Sequence, residues 1–68
     1  MKFGEKIKVL RLNNGLSQQD LACNLYVSRQ TVTKWETGKS LPDIQKLKML
    51  SEIFDISIDN LLSDVSFD

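Results

Sequence analysis

The sequence predicts an all-α fold, a single domain over residues 1–68 with five short helices at about 2–13, 18–25, 29–36, 43–54 and 58–63. Three observations predict it. Apolar residues recur three and four positions apart within each of those stretches. Residues that start or stop helices stand between them, namely Ser17, Ser28, Gly38, Pro42 and Ser57. No stretch alternates apolar and polar residues as a half-buried strand would.

The first helix sets Phe3, Ile7 and Leu10 on one stripe, leaving Lys2, Lys6 and Lys8 as a solvated face. Asn13-Asn14-Gly15 ends it, and Leu16 leads into Ser17. Ser17 is placed to cap the second helix, because its hydroxyl can accept from a backbone N–H two or three residues on. Leu21, Ala22 and Leu25 form that helix's inward face, and Tyr26-Val27 makes a tight turn. Ser28 caps the third helix, which turns Val32 and Trp35 inward and Arg29, Gln30, Thr33 and Lys34 outward. Thr37-Gly38-Lys39 stops it, since Gly38 can adopt the left-handed conformation that ends helices.

Pro42 marks the start of the fourth helix, its fixed φ and missing N–H suiting a first turn. Asp43 complements the positive end of the helix dipole. Ile44, Leu47, Leu50 and Phe54 form a buried stripe with Ile53 beside it. Asp55-Ile56 connects to a last helix capped by Ser57, with Ile58, Leu61 and Leu62 apolar. Residues 64–68 lack periodicity and read as frayed. Trp35 shares a face with Val32 and reads as the centre of the core rather than an exposed stacking platform.

Composition narrows the function classes. Hydrophobic residues are 41% and charged residues 26%, which suits a globular chain and not a disordered one. No apolar run approaches the ~20 residues of a bilayer span, and the charged N-terminus lacks the apolar block of a secretion signal. Cys23 is the single cysteine, so no internal disulfide can form; a cytoplasmic location is expected, and Cys23 reads as inert filler. There is no histidine, and the carboxylates are scattered. No acid–base pair, nucleophile constellation, metal set or phosphate loop can be drawn, so an enzyme is rejected and no cofactor or metal is expected.

Net charge is zero, yet its distribution is uneven. Residues 1–39 hold seven basic side chains against three acidic, and residues 40–68 hold two against six. The basic half contains the central helix pair, and the acidic half can face away from phosphates or toward a partner protein. A short helix pair presenting long polar donors is a shape that a DNA major groove accepts.

Taken together, Leu10-Arg11, Gly15-Leu16-Ser17-Gln18, Leu21-Ala22, Val27-Ser28-Arg29-Gln30-Thr31-Val32, Trp35-Glu36, Gly38-Lys39, Leu41-Pro42, Leu47, Leu50 and Phe54 resemble the phage-repressor and Cro type of helix-turn-helix, the xenobiotic-response-element family. The resemblance spans about four-fifths of the chain. It implies a lambda-repressor-like domain of five helices, acting as a dimeric, DNA-binding transcriptional regulator. Tyr26 departs from the family, which often has glycine in the turn, at a cost of about 1 kcal/mol if φ is positive. Ser51 stands where the family usually has alanine, a small change.

The resemblance sets the third helix in the major groove. Arg29 and Lys34 can then donate to guanine O6 and N7, Gln30 can pair with adenine N6 and N7, and Thr33 can touch a thymine methyl or a phosphate. By position in the family pattern, Gln18 looks like a phosphate contact, as do Ser28, Lys39, Asn14 and Thr31. Arg11 and Glu36 would pair across the first and third helices. Ile56, Ile58, Leu61 and Leu62 either supply a homodimer contact or close the core. Double-stranded DNA and a second copy are the expected partners. The alternative is an antitoxin-like interaction module whose acidic half binds a partner protein.

Overall fold

Five helices form in the predicted order in the computed structural model, which describes residues 1–67: α1 (Phe3–Asn13), α2 (Gln18–Leu25), α3 (Arg29–Glu36), α4 (Ile44–Ile53) and α5 (Ile58–Leu62). Local chemistry explains most of the boundaries. Ser17 Oγ accepts from the Asp20 N–H at 3.0 Å, and Asp20 Oδ2 accepts from the Ser17 N–H at 3.0 Å, which closes a reciprocal cap on α2. Ser28 Oγ accepts from the Thr31 N–H at 3.2 Å, and Ser57 Oγ from the Asn60 N–H at 3.0 Å. Gly38, at φ 80°, ends α3. Tyr26 ends α2 at φ 59° and ψ 38°, the left-handed region, with its ring exposed. The cost of about 1 kcal/mol for a residue with a Cβ is therefore present in the native turn.

One helix start differs from expectation. Asp43 is the cap of α4, accepting from the Lys46 N–H at 2.9 Å, so the helix begins at Ile44 and Pro42 lies buried before it. Ile44, expected in the buried stripe, is 68% exposed. A domain this small cannot cover both ends of every helix. Among the described residues the core consists of Phe3, Ile7, Leu21, Ala22, Leu25, Val32, Trp35, Leu50, Phe54 and Leu61. Ser51 is buried where the family has alanine, and its hydroxyl donates to the Lys48 carbonyl at 2.7 Å.

Long-range contacts correct two further expectations. Lys6 is not part of a solvated face: its Nζ donates to the Asn60 carbonyl, to the Ser63 carbonyl at 2.8 Å and to Ser63 Oγ at 3.1 Å. It thereby adds a cation to the carbonyls at the end of α5, as Lys46 Nζ does at the end of α2 through the Leu25 carbonyl at 2.8 Å. Residues 64–67 are not frayed either. The Phe3 N–H donates to the Ser66 carbonyl at 3.1 Å and the Ser66 N–H to the Met1 carbonyl at 3.0 Å. The terminal ammonium donates to the Asp64 carbonyl at 3.0 Å, and the Phe67 ring stacks on Phe3 at 5.5 Å. A pairing between opposite chain ends leaves no helical or strand period to read. Asp68, the last residue of that stretch, lies outside the described residues.

Helix α1 meets α3 backbone to backbone at Gly4. A Cβ there would lie 2.5 Å from the carbonyl oxygens of both Trp35 and Glu36. On an open helix, glycine to alanine stabilises by up to about 1 kcal/mol. Here Gly4→Ala should instead destabilise by about 1–3 kcal/mol, because the helices must separate. The urea midpoint is the measurement, and a midpoint that rises would contradict this packing.

The α2 cap carries a pH signature. Hydrogen bonds from the Ser17 backbone, and then from its side chain, hold the Asp20 carboxyl below the usual carboxylate range. A folded-state value below the unfolded one, about 3.9, gives stability that is fully present above that pH. The contribution is lost as pH falls through the folded value. Asp20→Asn should therefore lower the melting temperature at pH 7, and the gap should close in acid. A gap that stays constant down to pH 2 would contradict the cap's role.

Candidate nucleic-acid interface

Helix α3 is held from behind by a buried polar network. The Arg11 guanidinium on α1 donates from Nε to Glu36 Oε2 at 2.7 Å and from Nη2 to Glu36 Oε1 at 3.2 Å. Its Nη1 donates to the Leu16 carbonyl at 2.9 Å, tying in the turn before α2. The two side chains are 8% and 4% exposed. Gln18, the first residue of α2, donates from Nε2 to Glu36 Oε1 at 3.0 Å and accepts at Oε1 from the Thr33 hydroxyl at 3.0 Å. Three helices are thus joined through Arg11, Glu36, Gln18 and Thr33. Among the described residues no buried side-chain N or O lacks a partner, as low-dielectric surroundings demand.

On the opposite side α3 is open. Arg29, Gln30 and Lys34 are exposed, and they line one shallow concavity with Gln18, Thr33, Thr37 and Lys39. The nearby carboxylate, Glu36, is neutralised by Arg11, so the concavity keeps the positive charge of Arg29, Lys34 and Lys39. Trp35 lies 3% exposed in the core directly behind it.

The remaining expected contacts differ in how free they are. Lys39 is exposed. The Ser28 hydroxyl is occupied by the Thr31 N–H and lies 3.0 Å from Thr31 Oγ1. Asn14 Nδ2 donates to the Leu10 carbonyl at 2.8 Å, which closes the end of α1. The Thr33 hydroxyl is occupied within the protein, donating toward Gln18 Oε1 at 3.0 Å and the Arg29 carbonyl at 3.2 Å. Thr37, which the sequence reading passed over, lines the concavity, and its hydroxyl donates to the Thr33 carbonyl at 2.8 Å. Its position one residue past α3, beside Gly38, was the available signal.

The apolar cluster expected at a homodimer contact divides. Leu61 is fully buried in the core, so it cannot touch a second copy; that assignment is corrected. Ile56, Ile58 and Leu62 are half-buried. Around them Glu52, Asp55, Asp59 and Asp64 are exposed, away from the cations of α3 in sequence. Cys23 is exposed, and its sulfur accepts from Gln19 Nε2 at 3.3 Å. No helix of the described residues is long and apolar enough to cross a membrane.

A family model described as Helix-turn-helix matches residues 7–61. The HTH-type transcriptional activator BcrR of Enterococcus faecalis is 48% identical over 63 residues, covering 93% of this chain and 31% of BcrR. The chain therefore spans less than a third of that relative's length. The P22 c2 repressor in complex with a synthetic operator superposes with a TM-score of 0.84 at 26% identity, over 100% of this chain and 98% of that one. SinR, the master regulator for biofilm formation, in complex with DNA gives a TM-score of 0.81 at 31% identity, over 90% and 98%. Matched across four-fifths of its length and folded as those repressors are, the chain belongs to the helix-turn-helix family, in its phage-repressor form.

Proposed function

We propose that this domain is the DNA-reading part of a cytoplasmic transcriptional repressor, a homodimer that seats one α3 per copy in the major groove of a palindromic operator. One observation carries the reading. Arg29, Gln30 and Lys34 stand exposed, their side chains without protein hydrogen-bond partners among the described residues, on a helix fixed by a fully satisfied buried network. Free donors on a firmly held helix, two of them in its first turn, are what base-edge readout requires.

In this reading Arg29 and Lys34 donate to guanine O6 and N7, and Gln30 pairs bidentately with adenine. Thr33, its hydroxyl held by Gln18, borders them in the same concavity. Gln18, Lys39, Ser28, Asn14 and Thr31 meet phosphates, helped by the backbone N–H groups that open α2. Ile56, Ile58 and Leu62 supply the contact between copies, and the two α3 helices sit about 34 Å apart.

Selection of bound duplexes from a random-sequence pool tests this. The expected product is a palindrome with half-sites about one helical turn apart, bound with an affinity that falls steeply as salt rises. A pool that shows no enrichment would end the reading. A second reading rests on the exposed acidic residues around α5, a face for a basic partner protein. Operator binding indifferent to Arg29 and Gln30 would favour it.

A further inference from the structure

The Gln18 amide is oriented by two neighbours, and the order of that dependence can be read from charge. Its Nε2 faces Glu36 Oε1 at 3.0 Å, where a carbonyl would meet a carboxylate and be repelled. Glu36 therefore fixes which edge of the amide is which. With Oε1 set toward α3, the Thr33 hydroxyl must donate to it, at 3.0 Å. That single proton is shared with the Arg29 carbonyl one turn back, at 3.2 Å. Gln18 Nε2 carries a second hydrogen that has no protein acceptor among the described residues, and Gln18 lines the concavity with Arg29, Lys34 and Lys39.

We propose that Thr33 is a positioning residue for phosphate contact: with Glu36 it holds the Gln18 amide so that its remaining N–H meets the DNA backbone, and it does not itself read a base. This rests on the DNA-reading function above. A long glutamine side chain loses rotamer freedom on binding, and two fixed hydrogen bonds remove that loss beforehand. The hydroxyl that achieves this comes from the reading helix itself, so the phosphate clamp on α2 is held in register with the reading face of α3. Backbone contacts set how a reading helix sits and carry no sequence preference, so the consequence of losing the Thr33 hydroxyl is uniform across sequences.

The test uses the whole chain, a duplex recovered by selection from random-sequence DNA, and a scrambled duplex of equal length. Thr33→Val keeps the branched shape and removes the hydroxyl; Thr33→Ser keeps the hydroxyl and removes the methyl. Thr33→Val should weaken binding about three- to tenfold on both duplexes alike, the size of one net hydrogen bond. Thr33→Ser should stay within about twofold, since the hydrogen bond remains. In a Gln18→Ala background Thr33→Val should change nothing further, because the group it orients is gone. Melting curves taken in parallel keep each affinity measurement well below unfolding. The assignment is overturned by a changed preference at one base pair, by a loss that persists in the Gln18→Ala background, or by serine failing to rescue. Absence of any selected duplex would instead overturn the underlying reading of the domain.

Discussion

Glu36→Ala should cost this domain about 3–5 kcal/mol, because it leaves the Arg11 guanidinium buried without its counter-charge. The same change frees Gln18 Nε2 from its anchor and unties α3 from α1. For a chain of this size the melting temperature should drop by about 12 °C or more. The charge itself is not what the fold requires. Arg11→Met combined with Glu36→Leu should recover part of the loss, since a pair of apolar side chains leaves no desolvated charge unpaired. Urea unfolding of the parent, Glu36→Ala and the Arg11→Met/Glu36→Leu double variant measures both the loss and its recovery. A single Glu36→Ala variant with an unmoved midpoint would mean that the network contributes nothing to holding α3.

Arg29→Ala together with Gln30→Ala should remove most of the discrimination between the selected operator and scrambled DNA, leaving only what Lys34 contributes. Each bidentate base contact is worth about 1–3 kcal/mol, so the pair should weaken operator binding by at least about 30-fold. Binding to scrambled DNA should change far less, and the fold should melt as before, because both side chains are exposed and hydrogen-bond to no other group among the described residues. Lys39→Ala supplies the contrast. As a phosphate contact it should weaken both duplexes equally and lower the salt slope by about one. Titrations at several salt concentrations separate these outcomes. If the double variant prefers the operator as strongly as the parent protein does, α3 does not read the bases.

Much of the architecture was legible because it is local. Serines ahead of apolar stripes cap helices wherever the chain places them, and Ser17, Ser28 and Ser57 do so here. Gly38 ends α3 through its own backbone freedom. Pro42 pointed two residues too early, because the stronger N-terminal partner was the Asp43 carboxylate beside it. Ile44 matched the stripe in period yet found no helix to cover it, as periodicity names a face without saying how far the neighbours extend.

The order of the five helices, the inward face of Val32 and Trp35 and the outward set of Arg29, Gln30 and Lys34 follow from the sequence alone, since each depends on residues within one or two turns of one another. Tertiary structure decided the rest. It placed Lys6 over the end of α5, closed the chain ends through Ser66, pressed Gly4 against the α3 backbone and drew Gln18 and Thr33 into one hydrogen-bonded network. It also sent Leu61 into the core and left Ile44 outside. Those outcomes join residues as far as 65 positions apart, Met1 and Ser66. They are set by which buried polar groups find partners and which apolar faces find cover, a competition settled only when all five helices pack.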